Sequence, residues 1–80
     1  DTLSEILANG NTTGGTDIAV SANDDITFTD SSKAIFGAGS DLEIYHSGGA
    51  SWIKDEGTGQ LNITTNGTDI RLATNTSEKM

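Results

Sequence analysis

The chain has 80 residues, 32% of them apolar and only four of them aromatic, with 12 acidic side chains against four basic ones. A net charge of −8 argues against a nucleic-acid partner and against anionic membrane surfaces, and no apolar run approaches the roughly 20 residues that span a bilayer. Cysteine is absent, so disulfides cannot supplement a thin core, and no basic segment leading into an apolar stretch marks a signal peptide.

Thr2-Leu3-Ser4-Glu5 has the pattern of a capping box, in which Thr2 accepts the Glu5 amide and Glu5 returns to the Thr2 amide. Leu3, Ile6 and Leu7 follow at helical spacing on one face, and Asn9-Gly10 ends the helix after two turns. So short a helix does not persist alone in water. Residues 1–10 are therefore expected to dock on neighbouring structure and to set register between chains. Asn11 to Thr16, with Gly14-Gly15, reads as a polar turn.

From Asp17 onward, two apolar residues one apart recur every eight positions: Ile18 and Val20, Ile26 and Phe28, Ala34 and Phe36, Leu42 and Ile44. Alternation within each unit is the two-residue period of a strand with one buried face, and the polar spacers supply corners between units. Two apolar anchors per eight residues gain less than ordering those residues costs, so each unit must stack on others. Residues 11–46 are thus expected to form a β-shaft. Three copies wound together would close the core and remove free edges, although two copies or a single-chain solenoid satisfy the same arithmetic. A disordered chain is the competing reading, since low hydrophobicity and high charge favour expansion, but the apolar residues are patterned and proline is absent.

Beyond Ile44 the register breaks. Gly48-Gly49 predicts a two-residue hairpin turn that sets Ser47 opposite Ala50, Tyr45 opposite Trp52, Ile44 opposite Ile53 and Glu43 opposite Lys54. Asn66-Gly67 predicts a second hairpin, pairing Ile63 with Ile70 and Leu61 with Leu72. Residues 47–73 read as a hairpin meander or, alternatively, as continued winding with each turn a corner. Residues 74–80 lack periodicity and read as a frayed end or linker, and the start at Asp1 makes a fragment of a longer chain the expectation. Asn11, Asn62, Asn66 and Asn75 each open an Asn-x-Ser/Thr triplet, which chance explains as well as glycosylation does in so polar a chain.

Three strings carry a resemblance. Residues 3–15 (Leu3-Ser4-Glu5-Ile6-Leu7-Ala8-Asn9-Gly10-Asn11-Thr12-Thr13-Gly14-Gly15) resemble an "LSxVLxxGNTTGG" element of tail-fibre and baseplate-associated proteins from tailed phages. Phe36-Gly37 followed by Asp41-Leu42-Glu43-Ile44-Tyr45-His46-Ser47-Gly48 resembles "F-G…DLxIYHDG", and residues 51–63, from Ser51-Trp52-Ile53 to Leu61-Asn62-Ile63, resemble "SYIxDxGTGxLxI". Ser47 and Trp52 depart from the Asp and Tyr frequent at those positions. The three strings fall between residues 3 and 63. It implies an all-β, intertwined homotrimeric β-helix or β-prism fibre segment with a short N-terminal helix, located in the virion and joined to neighbouring fibre or virion segments. A bacterial adhesin module would share this architecture.

On that expectation the core comprises Leu3, Ile6, Leu7, Ile18, Val20, Ile26, Phe28, Phe36, Leu42, Ile44, Leu61, Ile63, Ile70 and Leu72. Tyr45, His46 and Trp52 are the candidate ligand contacts: turned outward, the rings could stack on a host surface glycan. Turned inward, Tyr45 and Trp52 would make the widest core layer, which the scarcity of other large residues favours. His46, the sole histidine, lacks a nucleophile partner, and a lone strand histidine more often packs than binds metal. Gly37-Ala38-Gly39-Ser40-Asp41 approaches the calcium-binding nonapeptide of parallel β-rolls but fails at Phe36 and Glu43. Asp24-Asp25 and Asp55-Glu56 read as solvated, mutually repelling surface, not acid–base pairs. Phosphate-loop, dinucleotide and hydrolase fingerprints are absent, so neither an enzyme nor a cofactor is expected.

Overall fold

A computed structural model describes residues 1–75. Helix α1 (Leu3–Asn9) is followed by strands β1 (Lys33–Phe36), β2 (Leu42–Ser47) and β3 (Ala50–Asp55), which form one open antiparallel sheet in the order β1-β2-β3. The capping box forms in full: the Glu5 amide donates to Thr2 Oγ1 at 3.2 Å, and the Thr2 amide donates to Glu5 Oε1 at 2.7 Å. At the other end the Gly10 amide donates to the Ile6 carbonyl at 3.3 Å, closing the last turn.

β2 and β3 join through Gly48 and Gly49 at φ 63° and 82°. Positive φ at both central residues is the two-residue turn whose twist matches that of the flanking strands, and glycine adopts it without cost. The resulting register sets Glu43, Ile44, Tyr45 and Ser47 opposite Lys54, Ile53, Trp52 and Ala50, the pairs expected from the Gly-Gly turn. β1 meets β2 with Phe36 opposite Leu42 and Ala34 opposite Ile44. Beyond the ends of the strands, the Ser31 amide donates to the His46 carbonyl at 2.8 Å, and the Glu56 amide to the Asp41 carbonyl at 2.7 Å.

This architecture corrects the expectation of an intertwined homotrimeric β-helix or β-prism. The three strands pair within one chain, antiparallel and in sequence order, and the sheet neither closes nor winds into a solenoid. The physical reason lies in the spacers. What recurs every eight residues is a reverse turn: the amides of Thr16, Asp24, Ser32 and Ser40 donate to the carbonyls of Thr13, Ser21, Thr29 and Gly37. Asn23, Ser31 and Ser40 occupy the left-handed region within or beside these turns. The turn at Gly37–Ser40 reverses the chain completely, so the Ala34/Phe36 and Leu42/Ile44 units face each other as a hairpin instead of stacking as parallel rungs. The units at Ile18/Val20 and Ile26/Phe28 lie outside any strand.

The Asn66-Gly67 hairpin also does not form. No strand occurs between residues 61 and 70, where the Gly67 amide instead donates to Thr65 Oγ1 at 2.8 Å. Of the expected frayed end at 74–80, residues 76–80 lie outside the described residues, as does most of the Asn75 triplet.

Candidate functional site

Strand alternation divides the sheet into two unlike faces. One carries Lys33, Ile35, Glu43, Tyr45, Ser47, Ala50, Trp52 and Lys54; the other carries Ala34, Phe36, Leu42, Ile44, His46, Ser51, Ile53 and Asp55.

On the first face the long side chains cover one another. Tyr45 and Trp52 stack with ring centroids 6.5 Å apart and planes inclined by 22°. The Lys33 ammonium sits 4.8 Å from the Tyr45 centroid and 3.2 Å from Glu43 Oε1, joining a cation–π contact to an ion pair. Beneath this cover Glu43 is buried, with 8% of its surface exposed. Lys54, although opposite Glu43 in the register, turns instead to Glu56, with Nζ 2.7 Å from Oε2. The hydrogen bond from Lys54, reinforced by its charge, lowers the Glu56 carboxyl below the usual carboxylate range, and the same pair raises the Lys54 ammonium. Asp55-Glu56, expected as a repelling surface pair, thus divides its work: Glu56 holds Lys54, while Asp55 Oδ1 accepts the Gly57 amide at 2.9 Å.

The second face is apolar and bare. Ile44, Phe36 and Ile53 are 42%, 51% and 62% exposed, and Ala34 and Leu42 are half-buried. A groove of about 570 Å³ runs along it, bounded by Phe28, Ala34, Ile44, His46, Ser51 and Ile53 and reached also by Tyr45 and Trp52 of the same two strands. His46 Nδ1 lies 2.8 Å from Ser51 Oγ at the polar end of this face. Tyr45 and Trp52 therefore share a face, as their pairing across the turn required, but His46 does not join them. Its position one residue from Tyr45 sends it to the opposite side, a consequence of the strand period that the sequence already contained.

The fourteen residues expected as core come together in no interior. Thirteen of them are exposed and Leu42 is half-buried; among the described residues no hydrophobic side chain is buried. Leu3, Ile6 and Leu7 of α1 line a shallow groove with Thr13, Thr16 and Ile18 yet stay exposed themselves. The whole chain exposes 7379 Å², whereas a compact monomer of 8.3 kDa exposes about 4,600 Å². Its radius of gyration is 16.7 Å, against about 12 Å for a compact domain of this length.

Among the described residues, no group of three or more His, Cys, Asp or Glu side chains is placed to hold a metal ion. Gly37-Ala38-Gly39-Ser40-Asp41 forms a turn in which Asp41 lies against Gly37, Gly39 and Gly57. Comparison with protein-family models, with curated proteins and with solved structures finds no match.

Proposed function

We propose that this chain is a structural segment of a tail fibre or spike in a tailed-phage virion, completed by contacts with other chains of the assembly. The observation that carries the reading is the exposure, among the described residues, of every large hydrophobic side chain except the half-buried Leu42 and Tyr45. A soluble monomer rarely leaves so many of its large apolar side chains in water. The likeness of residues 3–15 and of the strings between Phe36 and Ile63 to tail-fibre elements supplies the setting. In such a role the molecule does no chemistry. It provides a stiff sheet with one solvated face and apolar surfaces for neighbours to cover.

Concentration-dependent melting tests this reading. If other copies or segments complete the core, the thermal midpoint rises with protein concentration and light scattering gives a mass above 8.3 kDa. A cooperative transition at the monomer mass, unchanged on dilution, would overturn it.

A second reading, recognition of a host surface glycan, draws on the Tyr45–Trp52 stack. These rings lie on the solvated face with Trp52 48% exposed and charged groups around them, an arrangement suited to stacking on a sugar ring. Loss of glycan-array binding on Trp52→Ala, with the assembled mass retained, would support it; equal binding by wild type and variant would exclude it.

A further inference from the structure

We propose that the apolar face formed by Ala34, Phe36, Leu42, Ile44 and Ile53 is the surface on which another copy of this chain packs, sheet against sheet, while the Tyr45–Trp52 face stays in water. The inference rests on the structural reading above and adds to it both the partner and the surface.

The first argument is area. The accessible surface of the whole chain exceeds that of a compact monomer of this mass by roughly 2,000 Å² or more, and Phe36, Ile44 and Ile53 on this face, 51%, 42% and 62% exposed, contribute to that excess. The second is charge. With a net charge of −8, the chain would attract a basic partner wherever its carboxylates cluster, yet this face carries one carboxylate, Asp55, at its margin. A surface depleted in charge at its centre matches a partner of the same character, and the same face of another copy has it.

The third argument is the polarity of the face along the strands. Its rows run from His46 and Ser51, through Ile44, Ile53 and Ala34, to Leu42, Phe36 and Asp55. A two-fold axis in the plane of the interface and perpendicular to the strands lays Ile44 and Ile53 of the two copies together. It also places the end carrying His46 and Ser51 over the end carrying Asp55 in the other copy, so hydrogen-bond donors meet a carboxylate. The opposite face offers no such fit, because Lys33, Glu43 and Lys54 are already satisfied within the chain.

The absence of cysteine makes crosslinking a direct test. Full-length Ile53→Cys and Trp52→Cys variants, neighbours on β3 with opposite orientations, are treated with a short bis-maleimide and resolved on a denaturing gel, beside light scattering of the wild type. The expected result is a wild-type mass above 8.3 kDa, with covalent dimer from Ile53→Cys at least five-fold above that from Trp52→Cys. Ala34→Cys, on the same apolar face, takes the place of Ile53→Cys should that variant fail to give the wild-type circular dichroism. An assembled wild type that crosslinks equally or preferentially through Trp52→Cys overturns the choice of face and leaves the structural role standing. A folded wild-type monomer overturns both.

Discussion

Tyr45 and Trp52 face each other across the β2–β3 ladder on the charged side of the sheet, while Ile44 and Ile53, one residue away in each strand, face each other on the bare side. The largest rings of the chain thus sit where water reaches them, and the aliphatic pair sits where it is poorly covered. Size alone would have assigned them the other way round. Trp52→Ala is accordingly expected to cost about 1 kcal/mol, the worth of a partly exposed aromatic pair. Urea midpoints at fixed protein concentration measure it. A loss of about 4 kcal/mol, as for a tryptophan removed from a packed interior, would place the ring in a core.

Glu43 gives the same face a different vulnerability. It is the single buried residue among those described, and Lys33 is the cation in ion-pair contact with it, at 3.2 Å. Lys33→Met removes that cation and leaves the carboxylate covered, at an expected cost of about 2 kcal/mol. Adding Glu43→Leu removes the stranded charge and should recover most of the loss, so the double-mutant cycle gives a coupling larger than that of an exposed pair. A double variant whose loss equals the sum of the Lys33→Met and Glu43→Leu losses would show that the pair contributes no coupling.

Residues acting over three or four positions were legible in the sequence; those acting over longer range were not. The Thr2–Glu5 box and the Gly48-Gly49 turn are local devices, and each determines its neighbourhood: two reciprocal hydrogen bonds in one case, a complete register in the other. The eight-residue spacing was legible as well, but it marks turns, and a turn does not reveal whether the next strand stacks or reverses. At Gly37–Ser40 the chain reverses because Gly37 and Ser40 both take positive φ, a backbone choice that apolar periodicity does not encode. Asn66-Gly67 shows the converse. Its turn chemistry is strong, yet the flanking Ile63 and Ile70 remain exposed, with no buried face to hold two strands together. The split of His46 from Tyr45 and Trp52 was readable from the strand period alone.

The Gly37 turn yields a paired prediction. Gly37 has φ 95°, and a Cβ there would lie 2.5 Å from Asp41 Oδ2 and 3.1 Å from Asp41 Cβ. Gly37→Ala is therefore expected to destabilise by more than about 1 kcal/mol, combining backbone strain with displacement of the carboxylate. In an Asp41→Ala background the collision with the carboxylate disappears, only the 3.1 Å approach to the Cβ of residue 41 remains, and the substitution should cost less. Gly59→Ala is the control: nothing lies within 4 Å of its Cβ position and its φ needs no glycine, so a change within about 0.5 kcal/mol is expected. Urea midpoints on the four variants separate strain from collision.

Acid should loosen helix α1 through one identifiable group. The Thr2 amide, and after it the Thr2 hydroxyl, donates to the Glu5 carboxylate and holds its pKa below the ordinary value of 4.5. A carboxylate whose pKa is lowered by folding stabilises the folded form above the unfolded value, and that contribution fades as pH falls through the lowered folded value. The capping box is thus intact at neutral pH and opens only in acid, below the range where an unrestrained glutamate titrates. Thr2→Ala removes the hydroxyl but keeps the amide, so Glu5 should move part of the way back toward its ordinary value, and the helix should lose about 1 kcal/mol at neutral pH from the missing N-cap. The Glu5 side-chain carboxyl carbon and the Thr2 amide proton, followed by NMR across the acid range, report the same event from both ends of the bond. Coincident midpoints, low in the wild type and raised in Thr2→Ala, are the expected result. A Thr2 amide that stays fixed while Glu5 titrates would show that the box is not closed in solution.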